Sequence, residues 1–159
     1  MKLTTKHDIE APIGFVFAEL SDFDFWERAA MRRGADVSRM ADMTPPRPGM
    51  EWQVAFDYRN KPRKATIRLD EVTPETRLHL TGTSALIDVT MAVDLLQLAA
   101  RRTRVQVWID LLPKTLSAKI YVQSLRLARG RMERSFATRV GQFAADIEAR
   151  APGANAKKR

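Results

Sequence analysis

Between residues 52 and 111 apolar and polar residues alternate almost without a break, and between residues 117 and 149 the apolar residues recur at helical spacing instead. A period of two marks strands with one dry face, and a period near 3.6 marks an amphipathic helix. The first strand is predicted over residues 2–9, with Leu3, Thr5, His7 and Ile9 on one face and Lys2, Thr4, Lys6 and Asp8 on the other. Pro12 suits a first helical turn, where its missing N–H costs nothing, and Ile13, Val16, Phe17 and Leu20 follow at helical spacing. Ser21 or Asp22 caps a second short helix, from residue 23 to about 33, which Gly34 ends. Its aromatics Phe23, Phe25 and Trp26 are expected in the core or at a cavity rim.

A second strand is predicted over residues 35–40, and the proline-rich stretch 44–49 is a loop. The strands that follow place Trp52, Val54, Phe56 and Tyr58, then Ala65, Ile67 and Leu69, then Leu78, Leu80 and Gly82, on one face. Ile87, Val89, Met91, Val93 and Leu95, then Val105, Val107, Ile109 and Leu111, continue it. Turns fall at 59–62 and 73–76. One dry and one wet face per strand, with hairpin-length turns, predicts an antiparallel meander. The dry face needs a cover, and the long C-terminal helix is the one large element left. Its stripe runs Leu125, Ala128, Met132, Phe136, Val140, Phe143 and Ile147, interrupted by Gly130 and Gly141, which mark a bend, a close contact or mere tolerance. The expected fold is therefore α+β: a curved antiparallel sheet wrapped around a long C-terminal helix, with two short helices after the first strand. Residues 1–150 form one domain, and 151–159 a basic, frayed tail. Between sheet and helix lies an apolar space, which predicts a container.

The opening of the chain carries a resemblance. Ile9-Glu10-Ala11-Pro12, then Val16-Phe17-Ala18-Glu19-Leu20-Ser21-Asp22, is similar to the opening motif of the START-like, Bet v 1-like superfamily, also called SRPBCC or polyketide cyclase/dehydrase-like. Phe25-Trp26-Glu27 stands where members often carry an aromatic pair. The resemblance extends over about residues 1–150 and implies the helix-grip fold with an apolar cavity. It further implies a ligand such as a lipid, sterol, polyketide, plant hormone or quinone, with cyclase or dehydratase activity in a few members. It carries no universal catalytic set. The quinone-binding branch's tyrosine-proline phrase is absent, with Glu27-Arg28-Ala29-Ala30 in its place.

Composition narrows the function classes. Hydrophobic residues are 45% and charged residues 29%, ordinary values for a soluble domain. With no cysteine, disulfides and thiolate chemistry are excluded. No apolar run approaches the ~20 residues of a membrane span, and the N-terminus has no apolar h-region, so a cytoplasmic location is expected. The net charge of +8 is uneven: residues 101–159 carry 14 Lys/Arg against 4 Asp/Glu, and residues 1–100 carry 13 against 15. Such a surplus can draw nucleic acid or an anionic membrane surface. Arg126, Arg129, Arg131, Arg134 and Arg139 spread around the helix rather than along one face, and Trp108 is the main outward aromatic. Both facts weigh against nucleic acid and leave a weak contact with an anionic membrane surface.

Candidate chemistry is sparse. His7 and His79 are the two histidines and neither has a spaced partner, so no metal and no cofactor are expected. His7 reads as a packing residue or a cavity proton carrier. Asp57, Asp70, Asp88 and Asp94 fall on outer faces and are expected solvated. There is no nucleophile elbow, phosphate loop or dinucleotide fingerprint. The cavity-lining candidates are His7, Trp26, Trp52, Phe56, Tyr58, Ile67, Leu80, Met91, Val107, Tyr121, Leu125, Arg129 and Met132, with Thr5 beside His7. Arg129 falls within the apolar stripe, where it either pairs with a ligand anion or carries its head out to solvent. Three functions follow: binding of a small hydrophobic or amphipathic molecule, a cyclase- or dehydratase-like reaction using His7, Tyr58 or Arg129, and association of the basic helix with an acidic partner.

Overall fold

A computed structural model of the protein describes residues 1–40, 43 and 45–153; Thr44 of the expected loop and residues 154–159 of the expected tail lie outside them. The elements run β1 (Lys2–Ile9), α1 (Ile13–Leu20), α2 (Phe23–Arg32), β2 (Asp36–Arg39), β3 (Glu51–Tyr58), β4 (Lys61–Thr73), β5 (Arg77–Thr83), β6 (Ile87–Ala99), β7 (Arg102–Pro113), α3 (Leu116–Leu127) and α4 (Arg129–Arg150). The seven strands form one antiparallel sheet in the order β1-β7-β6-β5-β4-β3-β2. Strands β2 to β7 are the expected meander. The one long-range pairing sets β1 beside β7, with Leu3 opposite Ile109 and His7 opposite Val105. Irregular pairing between Leu69 and Glu71, and between Gln97 and Ala99, supplies the local bends that curve such a sheet. The helix-grip α+β fold is as expected. Among the described residues no helix is long and apolar enough to cross a membrane.

Two expectations are corrected. The β3–β4 turn has two residues, not four: Arg59 and Asn60 both take left-handed conformations, at φ 52° and 61°. That matches the turn whose twist suits a two-residue hairpin. Lys61 and Pro62 already belong to β4, and Pro62 sits at the start of its strand, where a missing donor is tolerated. The long helix is also two helices. Ala128, at φ −105° and ψ 25°, separates α3 from α4. The two halves dock on different strands, α3 on β7 and α4 chiefly on β1. Gly130, one of the weakest helix formers, lies just beyond the break.

The core lies in two places. The larger cluster joins Ile9, Val16, Phe23, Trp52, Leu69, Leu78, Val93 and Val105 to Ala144 and Ile147 of α4. The smaller joins Met1, Leu3 and Val122 of α3, with Leu125, Met132 and Phe136 packed on it. Polar groups fasten the large cluster. The Trp52 indole N–H donates to the Glu27 carboxylate at 2.6 Å, and the Arg39 guanidinium donates to the same oxygen at 2.7 Å, tying α2 to β2 and β3. Asp22 caps α2 and Thr115 caps α3, each accepting a backbone N–H. Thr103, fully buried on β7, donates its hydroxyl to the Ala11 carbonyl at 2.9 Å.

Thr103→Val keeps the side-chain shape and leaves that carbonyl without this donor. It should lower unfolding free energy by about 1–3 kcal/mol in urea denaturation, whereas Leu127→Ala on the exposed face of α3 should change it by less than about 0.5 kcal/mol.

Candidate ligand cleft

Exposure changes along each strand on a single face of the sheet. On β3, Trp52 is 5% exposed, Val54 half-buried, Phe56 37% exposed and Tyr58 44% exposed. The neighbouring strands repeat this: buried Leu69 gives way to half-buried Ile67, Leu78 to Leu80, and Val93 to Met91. The strands lie in register, with Trp52 opposite Ile67 and Leu80 opposite Met91. The inner face is therefore filled beneath α1 and α2 and opens toward the β3–β4 hairpin. The cause is where the cover lies. α4 sits over β1 and α3 against β7, while Val54, Ile67, Leu80 and Met91 stay half-buried where they pack on the large cluster.

A polar clasp joins the β3–β4 hairpin to α3. The Tyr58 and Tyr121 hydroxyls hydrogen-bond to each other, joining the end of β3 to α3. The Arg59 guanidinium stacks 4.7 Å from the Tyr121 ring centre and 5.7 Å from that of Tyr58, within cation–π range. Burial and the hydrogen bond with Tyr58 hold the Tyr121 phenol above the usual tyrosine range, against the opposing pull of Arg59. Nothing in the local sequence marks Arg59, which reads as an ordinary solvated turn residue.

His7 lies under α4. Its Nε2 is 3.1 Å from the Thr5 hydroxyl, and a Cβ at Gly141 would stand only 3.1 Å from the ring's Cε1. Of the readings open to Gly141, close contact is the one realised: the glycine lets α4 settle on the imidazole. Leu125 and Met132 pack on the smaller cluster, and Phe136 packs on both. Trp52 and Val107 are buried in the large core cluster. Trp26 lies at the α2–α4 contact, edge-on to Phe143 at 4.9 Å, with its indole N–H donated to the Leu20 carbonyl. The void it lines has a volume of about 10 Å³, room for one water at most.

Arg129 takes the solvent alternative. It is exposed, ion-paired to Glu133 at 2.8 Å, and it donates to the Lys2 carbonyl. A wheel drawn through one continuous helix put it in the apolar stripe; the break at Ala128 makes it the first residue of α4 and turns it outward. Asp57 is exposed as expected, but the other three outer-face carboxylates are paired rather than simply solvated. Asp94 meets Arg77, and Asp88 meets Lys114. Asp70 accepts from Arg68, Thr81 and His79. Burial raises its pKa, but the bonds from Thr81 and Arg68 outweigh burial and bring it below the usual range. Among the described residues no three His, Asp or Glu side chains converge to hold a metal ion. On the outer face a depression of about 580 Å³ runs along the cross-strand row Ser38, Gln53, Thr66 and Thr83. Its lining is polar and apolar in about equal parts.

The fold is shared widely. The sequence matches no family model, and no curated protein matches it. Solved structures do match in fold. The Zhui aromatase/cyclase from Streptomyces sp. R1128 superposes with a TM-score of 0.64 at 14% identity, over 94% of each chain. A START superfamily protein from Mycobacterium smegmatis gives 0.57 at 12% identity, over 89% of this chain and 98% of that one. Ara h 8.0201 gives 0.56 at 10% identity, over 87% and 97%. The fold is thus the START-like, Bet v 1-like helix-grip fold that the opening motif resembles. At these identities the likeness defines the fold alone.

Two outcomes are expected. Gly141→Ala, which would add about 1 kcal/mol of helix propensity at an open site, should fail to stabilise the protein but should stabilise a His7→Ala background by about that amount; equal gains in both backgrounds in thermal melts would remove the contact. In ultraviolet titration of tyrosinate, Tyr58→Phe should lower the Tyr121 pKa. Because the folded state holds this proton longer than the unfolded chain does, stability should fall as pH rises above about 10, the unfolded tyrosine value, and fall less in Tyr58→Phe.

Proposed function

We propose that the protein binds a small hydrophobic or amphipathic molecule, of the lipid, quinone or polyketide-like class, in the cleft between the inner face of the sheet and α3–α4. The observation that carries this reading is the gradient on β3, where one face passes from buried Trp52 to exposed Phe56 and Tyr58. A side chain of that size left half in water forgoes burial worth about 25 cal/mol per Å². Val54, Ile67, Leu80 and Met91 are half-buried along the same wall. A ligand lying along them recovers the burial, and the Tyr58–Tyr121 pair supplies a polar anchor for a headgroup or a ring oxygen. Apolar walls with a few placed polar groups are the usual make-up of a small-molecule site. His7, bonded to Thr5, is a titratable group held on the same inner face beneath α4. That observation favours a second reading, a cyclase- or dehydratase-like enzyme acting on the same class of molecule.

Native mass spectrometry of freshly purified protein, followed by organic extraction, tests the binding reading. A reproducible lipid-, quinone- or polyketide-like mass released on denaturation is expected. Leu80→Trp and Met91→Trp, which fill the cleft, should each lower its occupancy about tenfold or more while the fold is retained. A clean apo mass, with no uptake from a panel of lipids, quinones and aromatic polyketides, would overturn the proposal.

A further inference from the structure

Helix α3 is apolar on two opposite sides, and the fold uses one of them. Ala118, Val122 and Leu125 turn toward the sheet. At 100° per residue, Leu116, Ile120 and Leu127 share a line on the far side, where they are 75%, 64% and 89% exposed. Leu112, at the end of β7 just before the helix, is also exposed. Isolated surface leucines need no explanation, but three aligned on one helix, with a fourth beside them, mark an interaction surface.

The charge around this stripe says what covers it. Between residues 111 and 132 the chain has five basic residues and no acidic one. Lys119 and Arg126 flank the stripe on one side of the helix, and among the described residues neither has a carboxylate partner. The serines Ser117 and Ser124 flank the other side. We infer that α3 docks on an anionic lipid surface, with Leu116, Ile120 and Leu127 entering the acyl boundary and Lys119 and Arg126 meeting the headgroups. A helix with an apolar stripe and a basic flank lies in a membrane interface in this way. A second copy of this chain is the poorer occupant. A two-fold contact sets the same patch against itself and would bring Lys119 and Arg126 of each copy together with no acid to meet them. The opposite side of the same helix carries Tyr121, which closes the cleft mouth, so docking sets that mouth close to the bilayer. The inference holds whatever fills the cleft, and its test involves no cleft ligand.

The test is co-sedimentation of the full chain with vesicles of phosphatidylcholine alone and of phosphatidylcholine with phosphatidylglycerol, at low and physiological salt. Partitioning should be at least about tenfold greater onto the anionic vesicles and should weaken with salt. The triple variant Leu116→Ser, Ile120→Ser, Leu127→Ser removes exposed groups only and should fold normally by circular dichroism, yet lose about tenfold or more of that partitioning. Lys119→Gln with Arg126→Gln should cause a similar loss, confined to the anionic vesicles. No pelleting with anionic vesicles would overturn the inference. So would undiminished pelleting of the triple-serine variant, which would assign the binding to basic groups elsewhere. A free protein that is dimeric by sedimentation velocity, and monomeric only in that variant, would overturn it too, because a second copy would then cover the stripe.

Discussion

Pairing of β1 with β7 brings the first strand of the chain against the last, and the rest of the molecule follows from that ladder. It sets Leu3 opposite Ile109 and His7 opposite Val105, so β1 becomes the edge nearest to where the chain leaves the sheet for α3 and α4. α4 then returns over β1, close enough that Gly141 admits the His7 ring. Contacts between residues so far apart in sequence close large loops, and only cooperative burial offsets that entropy. The two ends of the chain stabilise each other: Met1 and Leu3 bury against Val122, and the Glu10 amide donates to the Glu148 carboxylate at 2.8 Å.

A helix seated on one edge of a curved sheet cannot also cover the other. The inner face is packed beneath α1, α2 and the far end of α4 and grows more exposed toward the β3–β4 hairpin. The apolar residues of the exposed end are the same types as those of the packed end. Tyr58, Arg59 and Tyr121 join the β3–β4 hairpin to α3.

Much of this was legible in the chain. The alternation from Trp52 onward predicts most inner-face residues of the meander, because a strand's side chains must alternate and one face must be dry; it misses Val72, beyond the irregular pairing after Leu69, and buried Thr103. The Ile9-Glu10-Ala11-Pro12 opening resembles a superfamily whose fold the structure shares. The positions read less well are those where an element meets another. The continuous helical period predicted one helix, but α3 and α4 dock on different strands and break at Ala128, and that break carries Arg129 out of the apolar stripe to pair with Glu133. Trp26 and Trp52 look alike as apolar candidates. One packs at a helix contact around a void for a single water, and the other is buried with its N–H on Glu27.

By itself the sequence determined the strands, their dry faces, the antiparallel meander and the presence of a helical cover, because each depends on a local period and on turn chemistry that a few residues encode. Only the tertiary structure decided which stretch of that dry face stays uncovered, that Arg59 closes on Tyr121, and that α3 keeps a second apolar line facing outward. These depend on where a helix comes to rest across the sheet. That placement is set by the sum of many contacts between distant residues, and no local pattern records it.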